Sequence, residues 1–461
     1  MHTTHKILLI AGLTLSFFSM QTHANFELGM THYESKNFEK AYKEFFEAAE
    51  YGDHDSQQNI GAMYYRGEHV TKDVPTAYAW MALAAQSPII NQDGIHLKIF
   101  NKLNENDKKI AQEKHAELLK KYGNEAIRLK LTPIFIGKSA GLQDRRAIKR
   151  VVPEYPSDML RMGKSGFVDV VFTIDKYGFT RDHIVHYAPS KSFEKKALEA
   201  LRKFQYEPSK INNKPIDING YKTRHNFHLT GQKLDEKELT KTVDELRKKA
   251  QSGAAIDQLA FAYFLEAIPS FWKDYELIDN PNEWYVNAAN KGNGAASYFL
   301  GRNILYGNMC EQDPIQSMAW LLKAAKQGIT DAQYMLALEA FSGAHFEKNE
   351  EKAFYWLKQA ATSNAPAKVR LAWILATHPD AERRNGSLAS AYIDAVTDDY
   401  IDKQNYFQTK AAVAAENGDF KTAIKWQKKA KKDAENLELP LNIVEQQLAS
   451  YSAQKPWREE I

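Results

Sequence analysis

Asp313-Pro314-Ile315-Gln316-Ser317-Met318-Ala319-Trp320-Leu321-Leu322-Lys323-Ala324-Ala325-Lys326-Gln327-Gly328 reads as one helix with both ends written into it. The Asp313 carboxylate is suited to accept from the orphan N–H groups of a first turn. Pro314 follows at the helical position where a missing N–H costs nothing. Gly328 suits the residue just past the last turn, where positive φ is cheap for glycine alone. Trp320 supplies bulk to a shared core, and the pair Ala324/Ala325 leaves room for a neighbouring helix to approach.

Outward from this stretch the same pattern recurs. Trp284, Trp320 and Trp356 stand 36 residues apart, each followed by an alanine pair: Ala288/Ala289, Ala324/Ala325 and Ala360/Ala361. Trp80 has its pair at Ala84/Ala85, and one period earlier Glu44 takes the tryptophan's place ahead of Ala48/Ala49. Gly67, Gly307 and Gly343 precede three of the tryptophans by 13 residues, and Asp73, Asp313 and Asn349 precede them by 7. Asn280-Pro281 opens the Trp284 helix, and Asp331 can cap the helix after Gly328. Several positions agreeing in phase define a helix-turn-helix unit that buries its apolar face only by stacking on neighbours.

On Ile60-Gly61-Ala62-Met63-Tyr64 and on the AWMALAA and AWLLKAA stretches around Trp80 and Trp320, the pattern resembles the Sel-one-like repeat, a relative of the tetratricopeptide repeat. The likeness covers about 25–88 and 253–363. Ala337 departs from the expected glycine, and the Trp284 unit has a longer turn through 271–279. After Ser363 the phase is lost, although AENGDFKTAIKWQKKA, turning at Asn417-Gly418 with Asp419 as cap, looks like a tetratricopeptide unit. The resemblance implies a binding scaffold without catalysis. Between 89 and 123 the signature disappears but helical periodicity continues, with Ile110, Ala111, His115, Leu118 and Leu119 on the stripe of a capping helix.

From Val151 the period moves from 3.6 towards 2. Val168, Val170, Phe172 and Ile174 share one face of a strand, Asp175-Lys176-Tyr177-Gly178 is a turn, and 179–187 makes a second strand. Ser192 can cap a helix with the stripe Phe193, Ala197, Leu198, Leu201 and Phe204, and a third strand follows at 221–229 with Phe227 and Leu229 on one face. These residues carry a second resemblance, to the TonB carboxy-terminal domain. The matching elements are Val152-Pro153-Glu154-Tyr155-Pro156, Gly163 to Gly166, FVDVVFTIDKYG, FEKKALEALRKFQYEP and HNFHL; Ala188-Pro189-Ser190 departs from the usual Ser/Gly turn. The resemblance implies strand addition, in which an extended segment of an outer-membrane receptor pairs with the exposed edge of the last strand. Carried over by position, it implicates Tyr155, Pro156, Arg224, His225, Asn226, Phe227 and His228. A TonB energy transducer also needs a membrane-spanning helix and a long proline-rich arm. The 15 prolines of this chain are scattered, and repeats stand where the arm would be.

The expected class is therefore α+β, an α-solenoid of helical hairpins flanking a small β-β-α-β domain. The expected divisions are a signal peptide at 1–24, repeats with a capping helix at 25–123, a basic linker at 124–150, the TonB-like domain at 151–231, a linker helix at 232–252, repeats at 253–363 and a tetratricopeptide-like region at 364–461. The uncharged run at 7–20 falls short of the roughly 20 residues that span a bilayer. Gln21-Thr22-His23-Ala24 presents a cleavage site before Asn25, so a periplasmic location is expected, with an inner-membrane anchor facing the periplasm as the alternative.

A charged share of 26% and a net charge of +3 give no global reason to expect nucleic acid. From 114 to 150, ten Lys/Arg face three acids, and Arg145, Arg146, Lys149 and Arg150 suggest weak contact with an anionic surface. There is no HExxH, CxxC, GxSxG or Gly-rich phosphate loop. His225/His228 and His183/His186 each point to opposite faces of a strand. Cys310, the single cysteine, excludes an internal disulfide. No catalytic residue, metal or cofactor is therefore expected. The leading function is a non-enzymatic adaptor for envelope or outer-membrane proteins such as TonB-dependent receptors. The alternatives are a part of TonB-dependent transport and, behind it, a cell-wall enzyme.

Overall fold

The computed structural model describes residues 24–92, 94–136, 147–211, 213–229, 236–272, 275–397 and 402–459. The signal-peptide reading, Arg145 and Arg146 lie outside them. The first array runs α1 (Ala24–Glu34), α2 (Phe38–Ala49), α3 (His54–Arg66), α4 (Val74–Ala84), α5 (Pro88–Asn91), α6 (Ile95–Phe100), α7 (Glu105–Tyr122) and α8 (Asn124–Leu131). The insert follows with β1 (Ala147–Lys149), α9 (Ser157–Arg161), β2 (Gly166–Ile174), β3 (Thr180–Tyr187), α10 (Lys191–Leu201), β4 (Gln205–Tyr206), β5 (Ser209–Ile211), β6 (Lys214–Ile216) and β7 (Ile218–Phe227). The second array comprises α11 (Glu236–Gln251), α12 (Ala255–Ala267), α13 (Pro281–Asn290), α14 (Gly294–Tyr306), α15 (Pro314–Lys326), α16 (Thr330–Ser342), α17 (Glu350–Ala360) and α18 (Ala365–Thr377). It continues through α19 (Gly386–Asp394), α20 (Lys403–Glu416), α21 (Phe420–Asn436) and α22 (Asn442–Ser452). The class is α+β, with helical hairpins on both sides of a small sheet.

The punctuation read in the sequence sets the hairpins. Asp73, Asp313, Asn349 and Asn280 each accept from first-turn backbone amides with their side chains. Gly307 and Gly343 end α14 and α16 at φ of 66°, where any side chain would be strained. Trp80, Trp320 and Trp356 are buried, as are Ala324/Ala325 and Ala360/Ala361 against them.

Three local expectations need correction. Asp331 lies inside the first turn of α16, whose cap is Ile329, and accepts instead from Asn364 Nδ2 at 2.9 Å. Ser190, not Ser192, caps α10; Ser192 donates to Asp158 at 2.5 Å. The last strand spans Ile218–Phe227 and stops before Leu229, because its partner β2 begins at Gly166 opposite Phe227 and ends at Ile174 opposite Ile218.

Of the stretch 124–150 read as a linker, residues 124–136 are instead built into the fold, and 137–146 lie outside the described residues. Residues 124–131 form α8, whose Ile127 and Leu131 are buried in one core with Leu259, Tyr285, Ala319 and Trp320 of the second array. Basic side chains on the outer face of this helix masked its two apolar anchors. Trp320 Nε1 donates to the Leu131 carbonyl at 2.8 Å, and Phe135 forms a β-bridge with Cys310, a buried thiol. The arrays therefore pack together. Lys40 of α2 meets Glu351 of α17 at 3.0 Å, and Lys326 of α15 is paired with Asp53 at the cap of α3. The first array thus lies on α15 and α17, the second helices of the hairpins.

Glu44 sits at this junction, 3.3 Å from Lys352 and in the register a tryptophan occupies elsewhere. Burial pushes its carboxyl up to about 7, against the pull of Lys352 and with repulsion from Glu47 adding to it. The folded state thus favours the protonated acid. The associated stability is fully present below the unfolded value near pH ~4.3 and is lost as pH rises through about 7. Glu44→Gln, which mimics the neutral acid, is expected to match the parent at pH 4 and to exceed it by roughly 1–3 kcal/mol at pH 8 in denaturant titrations.

Candidate functional site

The insert is built around a three-stranded antiparallel sheet of order β3-β2-β7. Strand alternation gives it two faces of different chemistry. On one, Val168, Val170, Phe172 and Ile174 of β2 join Tyr221 and Phe227 of β7 in a core closed by Phe193, Ala197, Leu198 and Leu201 of α10. On the other, Asp169 lies opposite Arg224, and Val171 opposite Lys222. This polar face meets the first helices of the second array, so that array is sandwiched between the sheet and the first array.

The polar contact is a buried ionic network. Glu266 of α12 lies 2.9 Å from both Lys222 and Arg302 and accepts from the Tyr285 hydroxyl at 2.8 Å. Asp169 binds Arg224 through both carboxylate oxygens, accepts from the Tyr263 hydroxyl at 2.5 Å and lies 3.5 Å from Lys222. Burial opposes ionisation of Glu266, but Lys222, Arg302 and the donated hydrogen bonds outweigh it and hold its carboxyl well below the usual range. Asp169 is held low in the same way by Lys222 and Arg224. The Arg224 guanidinium also rests 4.4 Å over the Phe167 ring.

The network continues along the array. Asn219 donates to Glu339 of α16 at 3.4 Å, and His186 Nε2 lies 3.4 Å from Asp331. Arg181 pairs with Asp182 and Asp217, the backbone of Asp182 donates to Asp402 at 3.3 Å, and Arg202 pairs with Asp433 of α21. Each first helix from α12 to α16 thus grips the sheet by a polar residue that β7 or β3 satisfies.

The residues implicated for strand addition fall into three groups. Arg224 and Asn226 face the array: Asn226 Nδ2 donates to the Ser270 carbonyl at 2.8 Å, and Arg224 reaches the Ser270 hydroxyl at 3.3 Å. His225 and Phe227 face the α10 core, and His225 packs edge-on against Phe204 with ring centroids 5.6 Å apart. Tyr155 covers the end of that core against Phe193 and Phe227 while donating to the Lys164 carbonyl, and Pro156 is buried at the start of α9. His228 alone is exposed. The backbone differs from the side chains. β7 is the last strand of the sheet, and among the described residues no backbone hydrogen bond joins 223–228 to anything but β2. An antiparallel edge strand directs alternate N–H and C=O groups outward.

The histidines of the two pairs sit in different surroundings. Burial pushes His183 down to about 3 and His225 down to about 4, and no cluster of three or more ligating side chains exists among the described residues. Lys149 pairs with Glu438 at 2.6 Å, so this part of the expected anionic-surface contact is engaged within the chain.

Sequence reasoning missed the network itself. Its signal was present in the same-face charges Asp169, Lys222 and Arg224 and in Glu266, an acid inside the apolar run AFAYFLEAIPSF.

Residues 151–229 match the family described as Gram-negative bacterial TonB protein C-terminal. They are flanked by matches to the Sel1 repeat at 54–87, 294–329 and 330–364. The matched repeats pair α3 with α4, α14 with α15 and α16 with α17. Among solved structures, the chain is similar to a Sel1 repeat protein from Oxalobacter formigenes, with 16% identity, a TM-score of 0.34 and coverage of 92% of this chain and 86% of that one. A protective antigen present in uropathogenic Escherichia coli strains and displaying an SLR fold aligns at 18% identity and a TM-score of 0.32, over 94% and 72% of the two chains. No curated protein matches. Both matched families are non-catalytic interaction domains, and the first is associated with the Gram-negative envelope. Among the described residues no helix is long and apolar enough to cross a membrane.

Proposed function

We propose that this protein is a periplasmic adaptor that captures an extended segment of an envelope or outer-membrane protein by strand addition to the outer edge of β7. The observation that carries this reading is the edge position of β7, whose backbone from 223 to 228 pairs only with β2 among the described residues. Main-chain hydrogen bonds supply the affinity in such pairing, so it does not need the side chains of Arg224 to Phe227, which are spent on the fold. The repeats hold the sheet: with the polar face closed by α12, α14 and α16, the edge is already ordered, so binding costs the protein little entropy of its own.

Photo-crosslinking residues at Thr223 and His228, beside the edge, test this against one at Lys195 on the exposed side of α10. The expected result is capture of the same extended receptor segment from both edge positions and none from Lys195. Equal capture from all three positions defeats the proposal.

A further inference from the structure

The outer face of α21 is not used by the adaptor reading. Its inner face, Ala423, Gln427, Ala430 and Ala434, is buried against α20 and α22. At 3.6 residues per turn, Lys421, Lys425, Lys428 and Lys432 fall within an arc of about 60° on the opposite side, with Lys429 at its margin. All five are exposed, and among the described residues none has a carboxylate partner within salt-bridge distance. Lys431, to one side, is the α21 lysine that pairs, with Glu445. Glu435 stands at the far end of the arc. The other acids of that end are taken: Asp433 by Arg202 and Glu438 by Lys149.

Solvated helix faces ordinarily mix signs, because opposite charges three or four residues apart stabilise a helix and like charges destabilise it. Here Lys421/Lys425, Lys425/Lys428, Lys425/Lys429 and Lys428/Lys432 are all like-charge neighbours at those spacings. This row repels itself unless something anionic lies along it. Its composition favours a surface carrying many phosphates over a single phosphate group. It has lysine alone, a flexible point charge, and no arginine to make a bidentate fork. The side chains leave a straight helix in one direction, so their ammonium groups can reach a common plane. Lys429, at the margin, holds its ammonium 4.1 Å over the ring of Trp426, which lies further round the helix, half-buried and stacked on Phe407.

We propose that α21 docks the protein on an anionic phospholipid surface through Lys421, Lys425, Lys428 and Lys432. This site is distinct from the β7 edge, and its success or failure leaves strand addition untouched.

Sedimentation of the full chain with phosphatidylcholine vesicles, with and without phosphatidylglycerol, tests it. Binding is expected only with phosphatidylglycerol and is expected to weaken with salt. Replacing Lys421, Lys425, Lys428 and Lys432 with Gln together is expected to lower binding by more than about 100-fold, and Lys425→Gln or Lys428→Gln alone by about 5-fold. A control removes equal charge from α11 (Lys237, Lys241, Lys248 and Lys249 to Gln) and is expected to bind like the parent. The single variants carry the test if the quadruple variant fails to fold. Equal loss in the control, binding without phosphatidylglycerol, or no binding at low salt overturns the proposal. So does displacement by inorganic phosphate beyond that by chloride at equal ionic strength, which assigns the row to a discrete phosphate.

Discussion

Glu266→Ala is expected to destabilise the protein by about 3–5 kcal/mol, measured by denaturant unfolding at neutral pH. The loss comes less from a missing attraction than from what stays behind. Buried Arg302 would lose its carboxylate partner while keeping its charge, and Lys222, whose ammonium burial pushes down and Glu266 holds up, would be left with Asp169 at 3.5 Å. Glu266→Gln retains a polar group for Tyr285 and should lie between the two. Replacing Lys222 with Met in the Glu266→Ala background removes one orphaned cation. The double variant is therefore expected to be more stable than the sum of the singles. The same carboxylate makes the interface acid-sensitive. Its folded pKa lies below its unfolded value, so its contribution is present above pH ~4.3 and is lost as pH falls towards the folded value. In Glu266→Ala that part of the acid dependence should vanish.

The second large effect is expected at Trp320→Ala, again about 3–5 kcal/mol, from the cavity left by a fully buried ring. The Leu131 carbonyl also loses its donor. Because Trp320 joins α8 to α15, the damage should be local to the junction of the two arrays. Amide exchange in 124–131 should accelerate before that in β2. Trp320→Phe refills much of the space without the N–H, and is expected to recover most of the loss except for about 1 kcal/mol for the hydrogen bond. Uniform acceleration across β2 and α8 in both variants would mean that the arrays and sheet unfold as one unit.

Local structure was legible wherever a residue's role is set by its own backbone. Asp313, Asn349 and Gly343 act on amides and torsions within one turn, and their spacing carried the whole hairpin pattern into view. The alternation Val168, Val170, Phe172, Ile174 named the core face of β2 for the same reason. What stayed hidden depends on partners far away in sequence. Ile127 and Leu131 looked like incidental apolar residues in a basic stretch because the Trp320 core that receives them lies some 190 positions on. Arg224 and Asn226 were read as edge residues. An edge is defined by the backbone, whereas their side chains leave the sheet through its face and meet Glu266 and Ser270 on α12 and beyond. Asp331 had the right chemistry for a cap and the wrong position by two residues. The chain turns into α16 at Ile329, leaving the carboxylate to meet Asn364 and His186.

Amide hydrogen exchange along 223–228, with and without an extended peptide from a TonB-dependent receptor, tests the central claim most directly. In the free protein the outward-facing amides of β7 are expected to exchange faster than those of the central strand β2, and to slow at least about tenfold once the peptide is bound. Amides already as slow as those of β2 before any peptide is added, or unchanged when the peptide is bound, would contradict it.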